Sequence, residues 1–190
     1  MNVLVSKTSR LERASEVRIL PPPLVQKFTF LFYNKRVKFL KFIISIAIPL
    51  LAGFIGSLFT SPSIKSNWYE ILAKPALVPP NWIFPVVWTI LFILMGLAFY
   101  LVWLKPEHPK FRQAYLLFAL QLILNVGWSI IFFYLQKPSW ALLEIIPLWI
   151  AILYTLLTFK KINRWAGWLI LPYLLWVTFA TYLNYGIALG

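Results

Sequence analysis

Apolar and polar residues come in long blocks along this chain. Five apolar stretches, at about 38–60, 82–104, 111–135, 139–159 and 165–188, each approach the ~20 residues a helix needs to cross a hydrocarbon core. Short polar turns join the later ones: Lys105-Pro106-Glu107-His108-Pro109-Lys110, Gln136-Lys137-Pro138, and Lys160-Lys161-Ile162-Asn163-Arg164. Connections this short make neighbouring helices antiparallel. A longer segment, 61–81, follows the first stretch. The pattern predicts an all-α fold, an integral membrane bundle of five transmembrane helices over residues 38–190, preceded by a basic segment at 1–37.

Composition supports lipid as the solvent. The chain is 61% hydrophobic and 12% charged, against roughly 45–50% and about 25% in a soluble domain. A net charge of +13 raises the question of nucleic acid, but the basic residues flank apolar spans and build no soluble basic surface. Nucleic acid is therefore not an expected partner. Lysine and arginine crowd one side: Lys7, Arg10, Arg13, Arg18, Lys27, Lys35, Arg36, Lys38 and Lys41 before the first span, then Lys105, Lys110, Arg112, Lys160, Lys161 and Arg164. The other side has Lys65, Lys74 and Lys137. The positive-inside rule then predicts a cytoplasmic N-terminus in a bacterial cell membrane, with an organelle membrane as the alternative address. Pro21-Pro22-Pro23 forbids a continuous helix through the leading segment, which reads as a disordered cytoplasmic tail; a transit peptide is the other reading. No cysteine is present, so disulfides, thiolate metal sites and a cysteine nucleophile are excluded.

In hydrocarbon a polar side chain is costly without a partner or a cavity, so polar residues within spans are the informative ones. Gln121, Asn125, Trp128 and Phe132 fall at i, i+4, i+7 and i+11 on one helical face, with Ser129 beside them. Tyr173, Trp176, Ala180 and Asn184 repeat the theme in the fifth span. Trp88, Phe92, Met95 and Phe99 make an aromatic stripe in the second, next to Gly96. Convergence of these faces would give an aromatic pocket with a few amide or hydroxyl handles, suited to a flat apolar ligand. The bland alternative is packing, with Asn and Gln as interhelical glue. Trp68, Trp82, Trp103, Trp140 and Trp165 lie near span ends and read as interfacial anchors.

Glu144 is the one acid inside an expected span. It reads as an interhelical hydrogen-bonding group, with a proton-coupling carboxylate as the alternative. His108 lies between prolines in a polar turn and reads as solvated surface, so no metal site is expected. No serine–histidine–acid set, phosphate-cradling glycine loop or carboxylate pair is present, and no internal repeat points to an inverted-repeat transporter. Ala52, Gly53 and Gly56 permit close backbone approach, either within the bundle or at a dimer seam.

Several motifs together resemble the TspO/MBR family of tryptophan-rich sensory proteins and mitochondrial translocator proteins (peripheral benzodiazepine receptor). They are Trp68-Tyr69, Lys74-Pro75, Pro79-Pro80, Trp82, Pro85, Trp88, Met95-Gly96, Tyr100 and Trp103, then Leu124-Asn125-x-x-Trp128-Ser129, Phe132-Phe133 and Trp140-Ala141-Leu142. Pro172-Tyr173-Leu174-x-Trp176, Phe179-Ala180-Thr181-Tyr182-Leu183-Asn184 and Gly53-Phe54-Ile55-Gly56-Ser57 complete them, in one unbroken order over about residues 40–187. The resemblance implies a five-helix bundle, usually dimeric, that binds porphyrin, haem and related tetrapyrroles, and in some members sterol-like or benzodiazepine-type ligands. It implies a pocket under the long first loop, lined by residues matching Trp68, Trp88, Asn125, Trp128, Trp176 and Ala180. Gln121 and Asn184, from the same helical faces, join these as candidate ligand contacts. No resident cofactor is required; a porphyrin or haem is the expected ligand.

Two positions depart from the family pattern. Leu77 replaces a loop tryptophan, which weakens any stacking contribution from the loop. The sterol-associated Leu/Val-x-Tyr-x-Arg/Lys pattern is incomplete after Leu183 and Tyr185, since no basic residue follows. The leading expectation is a tetrapyrrole-binding sensor or carrier. The alternatives are light-dependent porphyrin degradation using Trp88 and Trp176, and a helical scaffold acting through protein partners.

Overall fold

Hydrocarbon offers a backbone no hydrogen-bond partner, so a chain of this composition closes its own N–H and C=O groups in helices. A computed structural model describes residues 24–190, with side chains from residue 35 onward. The elements are α1 (Leu24–Lys65), a short α2 (Asn67–Ile71), α3 (Ile83–Trp103), α4 (Phe111–Ser129) running into a π-helical turn at Ile130–Tyr134, α5 (Pro138–Ile162) and α6 (Arg164–Leu189). Five helices are long and apolar enough to cross a membrane, and no strand occurs among the described residues. The chain divides into two units, 1–37 and 38–190; the second carries everything below.

Helix α1 starts at Leu24, well before the expected residue 38. Nothing between Leu24 and Lys38 breaks a helix, and the basic residues there are good helix formers. Residues 24–37 are thus helical where a disordered tail is expected; residues 1–23, including the three prolines, lie outside the described part. At its other end α1 runs through Pro62 to Lys65, and α2 occupies part of the expected loop. Elsewhere the ends have visible causes. Pro138 opens α5 from the first turn, where its missing N–H costs nothing. The Asn163 side chain caps α6, accepting from the Trp165 N–H at 2.9 Å.

Five helices close a ring in the order α1, α3, α6, α5, α4. Helix α1 runs antiparallel to α3, with Lys41 Nζ donating to the Trp103 carbonyl at 3.3 Å and Phe42 edge-on to Tyr100. Gly96 makes the contact possible, since a Cβ there would sit 2.7 Å from Ile46 Cα. Gly53 faces the Phe92 ring and Gly56 faces Ser129, so both α1 glycines serve contacts within the bundle.

Half of the ring is solid. At the end bearing Lys41, Lys105 and Lys160, Phe99 stacks on Phe118 with centroids 4.5 Å apart, and Phe118 packs on Phe159. Ala98, Ala114, Val102, Ile152 and Ala166 fill the remaining space, each inaccessible. Lys105 Nζ reaches the Ile162 carbonyl at 3.1 Å, placing a cation on the C-terminal end of α5. The other half, under residues 66–82, is hollow.

Candidate ligand-binding cavity

The hollow half encloses about 460 Å³ between α1, α3, α4 and α6, with Tyr69, Val78, Asn81 and Trp82 closing one side. Ligand pockets run about 300–1,000 Å³. Its walls are aromatic. Trp88 on α3 stacks on Phe92 at 5.5 Å and meets Tyr173 edge-on at 6.0 Å. On α4, Trp128 stacks on Phe132 at 4.9 Å, and on α6 Trp176 meets Phe84 edge-on at 6.0 Å.

The π-helical turn explains why two consecutive phenylalanines face inward. Its i→i+5 bond, Leu135 N–H to the Ile130 carbonyl at 2.9 Å, inserts a residue into the helical register. Phe132 then lies on Trp128 while Phe133 meets the same indole edge-on at 5.9 Å. The Phe133 carbonyl accepts from Ser63 Oγ at 2.7 Å, tying the end of α1 to this turn. The chain reverses at Gln136, in the left-handed region with φ 53°.

Polar groups at the wall divide into spent and available. Asn184 is spent: its Oδ1 accepts from Trp128 Nε1 at 3.1 Å and its Nδ2 donates to the Pro138 carbonyl at 2.8 Å. It braces α6 against α4 and the start of α5. Asn125 donates through Nδ2 to the Tyr173 hydroxyl at 3.1 Å, leaving the other end of its amide to the cavity. Trp176 Nε1 is buried without an acceptor, the cost of an unmade hydrogen bond.

The closing segment rests on α6. Pro75 packs on Gly186, where a Cβ would lie 2.9 Å from the proline ring. Lys74 Nζ sits 4.2 Å from the Tyr69 ring centroid, a cation–π contact. Burial pushes the Tyr69 phenol above its ordinary value. Leu77 is 66% exposed and outside the wall; the aromatic groups this segment contributes are Tyr69 and Trp82.

A sequence profile of the TspO/MBR family matches residues 45–189. The chain belongs to the TspO/MBR family. It is 46% identical over 158 residues to the tryptophan-rich protein TspO of Chlorobaculum tepidum, covering 81% of this chain and 96% of that one. The tryptophan-rich protein TspO of Archaeoglobus fulgidus is 41% identical over 150 residues, 79% and 96% of the two chains. The human translocator protein is 36% identical over 141 residues, 72% and 82%.

Within this TspO/MBR bundle, Trp88, Asn125, Trp128, Trp176, Ala180 and Asn184 all line the cavity. Trp68 and Gln121 do not. Trp68 sits edge-on to Phe132 at 6.0 Å, behind the wall. Gln121 is 1% exposed, one turn deeper in the solid half, with Nε2 3.8 Å from Met95 Sδ. Glu144 makes no interhelical hydrogen bond: neither carboxyl oxygen has a partner. Trp82, Trp140 and Trp165 are largely exposed at helix ends, as interfacial anchors are. Sequence reasoning missed Phe84, Tyr69 and the inward turn of Phe133. Phe84 lies one turn before Trp88, so the α3 stripe extended backwards would have found it.

Proposed function

We propose that this TspO/MBR membrane protein binds a tetrapyrrole, a porphyrin or haem, in the cavity, and that it works as a sensor or carrier of that ligand. The observation that carries the reading is the wall itself: four tryptophans and several phenylalanines around one space, with Asn125 among its polar groups. Stacking on aromatic faces suits a large flat ring, and a few directed hydrogen bonds fix its rotation. The names of relatives, tryptophan-rich sensory protein and translocator protein, agree with ligand handling in a membrane.

Lys and Arg gather at the end opposite the closing segment, so the proposed orientation puts that end in the cytoplasm and the cavity toward the outer face. Ligand then enters from the outer leaflet or beyond it. Filling the space tests the assignment. Ala180→Phe keeps every wall tryptophan but occupies the cavity, and it is expected to abolish the shift in porphyrin absorption that accompanies stoichiometric binding to the parent. A shift of equal size and stoichiometry in the filled variant would place the porphyrin elsewhere.

A further inference from the structure

At the basic end of the bundle the cations are used in two ways. Lys41 and Lys105 turn onto backbone, donating to the Trp103 carbonyl at 3.3 Å and the Ile162 carbonyl at 3.1 Å. Those of the α5–α6 turn lie on indole faces instead. Lys160 Nζ is 5.3 Å from the Trp168 ring centroid, and Arg164 Cζ is 5.5 Å from that of Trp165. Both indoles are exposed. A cation on a ring face keeps N–H donors for a second partner, three on an ammonium and a planar fork on a guanidinium. Gly167 permits the arrangement: a Cβ there would lie 2.6 Å from Lys160 Cβ, so the end of α5 sits against the start of α6. Among the described residues the acid at this end is Glu107, in the α3–α4 turn.

Further along, the same α5–α6 seam opens on its outer side. Ile145, Ile146, Trp149, Thr178 and Thr181 line a groove of about 260 Å³, with Ile146 exposed. Trp149 Nε1 donates across it to Thr178 Oγ1 at 2.8 Å. Trp149 and Lys160 are eleven residues apart and Arg164 and Thr178 fourteen, so each pair shares a helical face. The rise from Lys160 to Trp149 is about 16 Å, close to half of a hydrocarbon core about 30 Å thick. Cations and groove are therefore one leaflet's depth apart along one seam.

We propose that this seam seats one anionic diacyl phospholipid, its phosphate on Lys160 and Arg164 and an acyl chain running along the seam into the groove. Charge complementarity selects the headgroup. A phosphodiester supplies acceptors to the two cations, and the first turn of α6 holds no acidic residue to compete for them. A zwitterionic lipid brings its own ammonium beside the phosphate, which the same cations repel. The groove selects a long chain, since its depth matches one leaflet. The seat lies outside the cavity and stands whatever the cavity holds. A lipid bound there stabilises the folded bundle by mass action.

Native mass spectrometry of the purified full chain counts the lipids it retains from mixed micelles of phosphatidylglycerol and phosphatidylcholine. One phosphatidylglycerol per chain is expected, with a preference of about tenfold, the worth of one charge-assisted hydrogen bond. Lys160→Gln with Arg164→Gln should remove that preference. Lys110→Gln with Arg112→Gln takes the same charge from the same end and should keep it. Equal retention of the two lipids by the parent, or equal loss in both variants, would overturn the proposal. A phosphatidylglycerol with a photoreactive group at the end of an acyl chain tests the groove in the parent alone, whether or not the variants fold. Adducts concentrated on residues 145–149 and 178–181 are expected. Adducts spread evenly over the lipid-facing helices would overturn the seat. So would displacement of the lipid by inorganic phosphate, which would make the turn a site for the free anion.

Discussion

The two halves of the bundle are built from the same material and reach opposite results. In the solid half Phe99, Phe118 and Phe159 stack across three helices, with Ala98, Ala114 and Ala166 buried in the same core, so the helices close. In the hollow half Trp88 stacks on Phe92 and Trp128 on Phe132, each one turn along the same run of chain, while Trp176 meets Phe84 edge-on, so the rings line a wall. Braces hold this half open: Asn184 spans α6 to α4 and α5, Ser63 ties α1 to the π-helical turn, and Pro75 seats on Gly186. An aromatic stripe becomes core or cavity according to what stands opposite it. Rings that stack across helices with alanines buried beside them give core; rings held off by polar braces give a wall.

The contrast is broken most severely by emptying the solid half. Phe118→Ala removes the middle ring of the stack and is expected to cost about 3–5 kcal/mol, read by denaturant unfolding in detergent. Ligand affinity of the surviving folded fraction should change little. Next comes Gly96→Val, which forces α1 from α3 and is expected to cost about 1–3 kcal/mol, visible in the same unfolding curves. In the hollow half the effects exchange places. Asn125→Ala should weaken porphyrin binding about tenfold, the worth of one hydrogen bond near the upper end of the ordinary range. Its unfolding midpoint should fall less than that of Phe118→Ala, by the cost of leaving the buried Tyr173 hydroxyl without its donor, which a paired titration and melt will check.

Gly186→Ala is a milder intervention. It lifts Pro75 from its seat, so porphyrin dissociation, followed by stopped-flow fluorescence, should quicken by a few-fold. The smallest effect is alkaline. Because burial raises the Tyr69 phenol, its neutral form is favoured in the docked segment. That contribution is complete below the ordinary tyrosine value, about 10, and is lost as pH rises through the raised one. A spectrophotometric tyrosine titration of the parent should show a late-ionising group absent from Tyr69→Phe.

Much of the frame was legible because apolar length is a one-dimensional signal. Residues 82–104 were expected for a helix found at Ile83–Trp103, and 165–188 for one found at Arg164–Leu189. The start of α1 was not legible, since the three prolines and the basic residues that follow look like a tail, although lysine and arginine leave a helix intact. Helical spacing also grouped Asn125, Trp128 and Phe132 on one face. It included Gln121 as well, because periodicity gives the side of a helix and not the depth at which a cavity stops. Phe133 escaped because a π-helical insertion breaks the 3.6-residue period on which such a reading depends. Asn184 faced the right way but is consumed by Trp128 and Pro138, and hydrogen-bond partners so far apart in sequence leave no local trace.

The central claim is that the hollow half holds a tetrapyrrole against its tryptophans. Titration of the detergent-solubilised protein with protoporphyrin IX, following tryptophan fluorescence, tests it most directly beside a doubly substituted Asn125→Ala, Trp128→Ala chain. Saturable quenching in the parent, markedly weakened in the variant, is the predicted result. Equal and non-saturating quenching in both would mean that the porphyrin partitions into detergent, and would contradict the assignment.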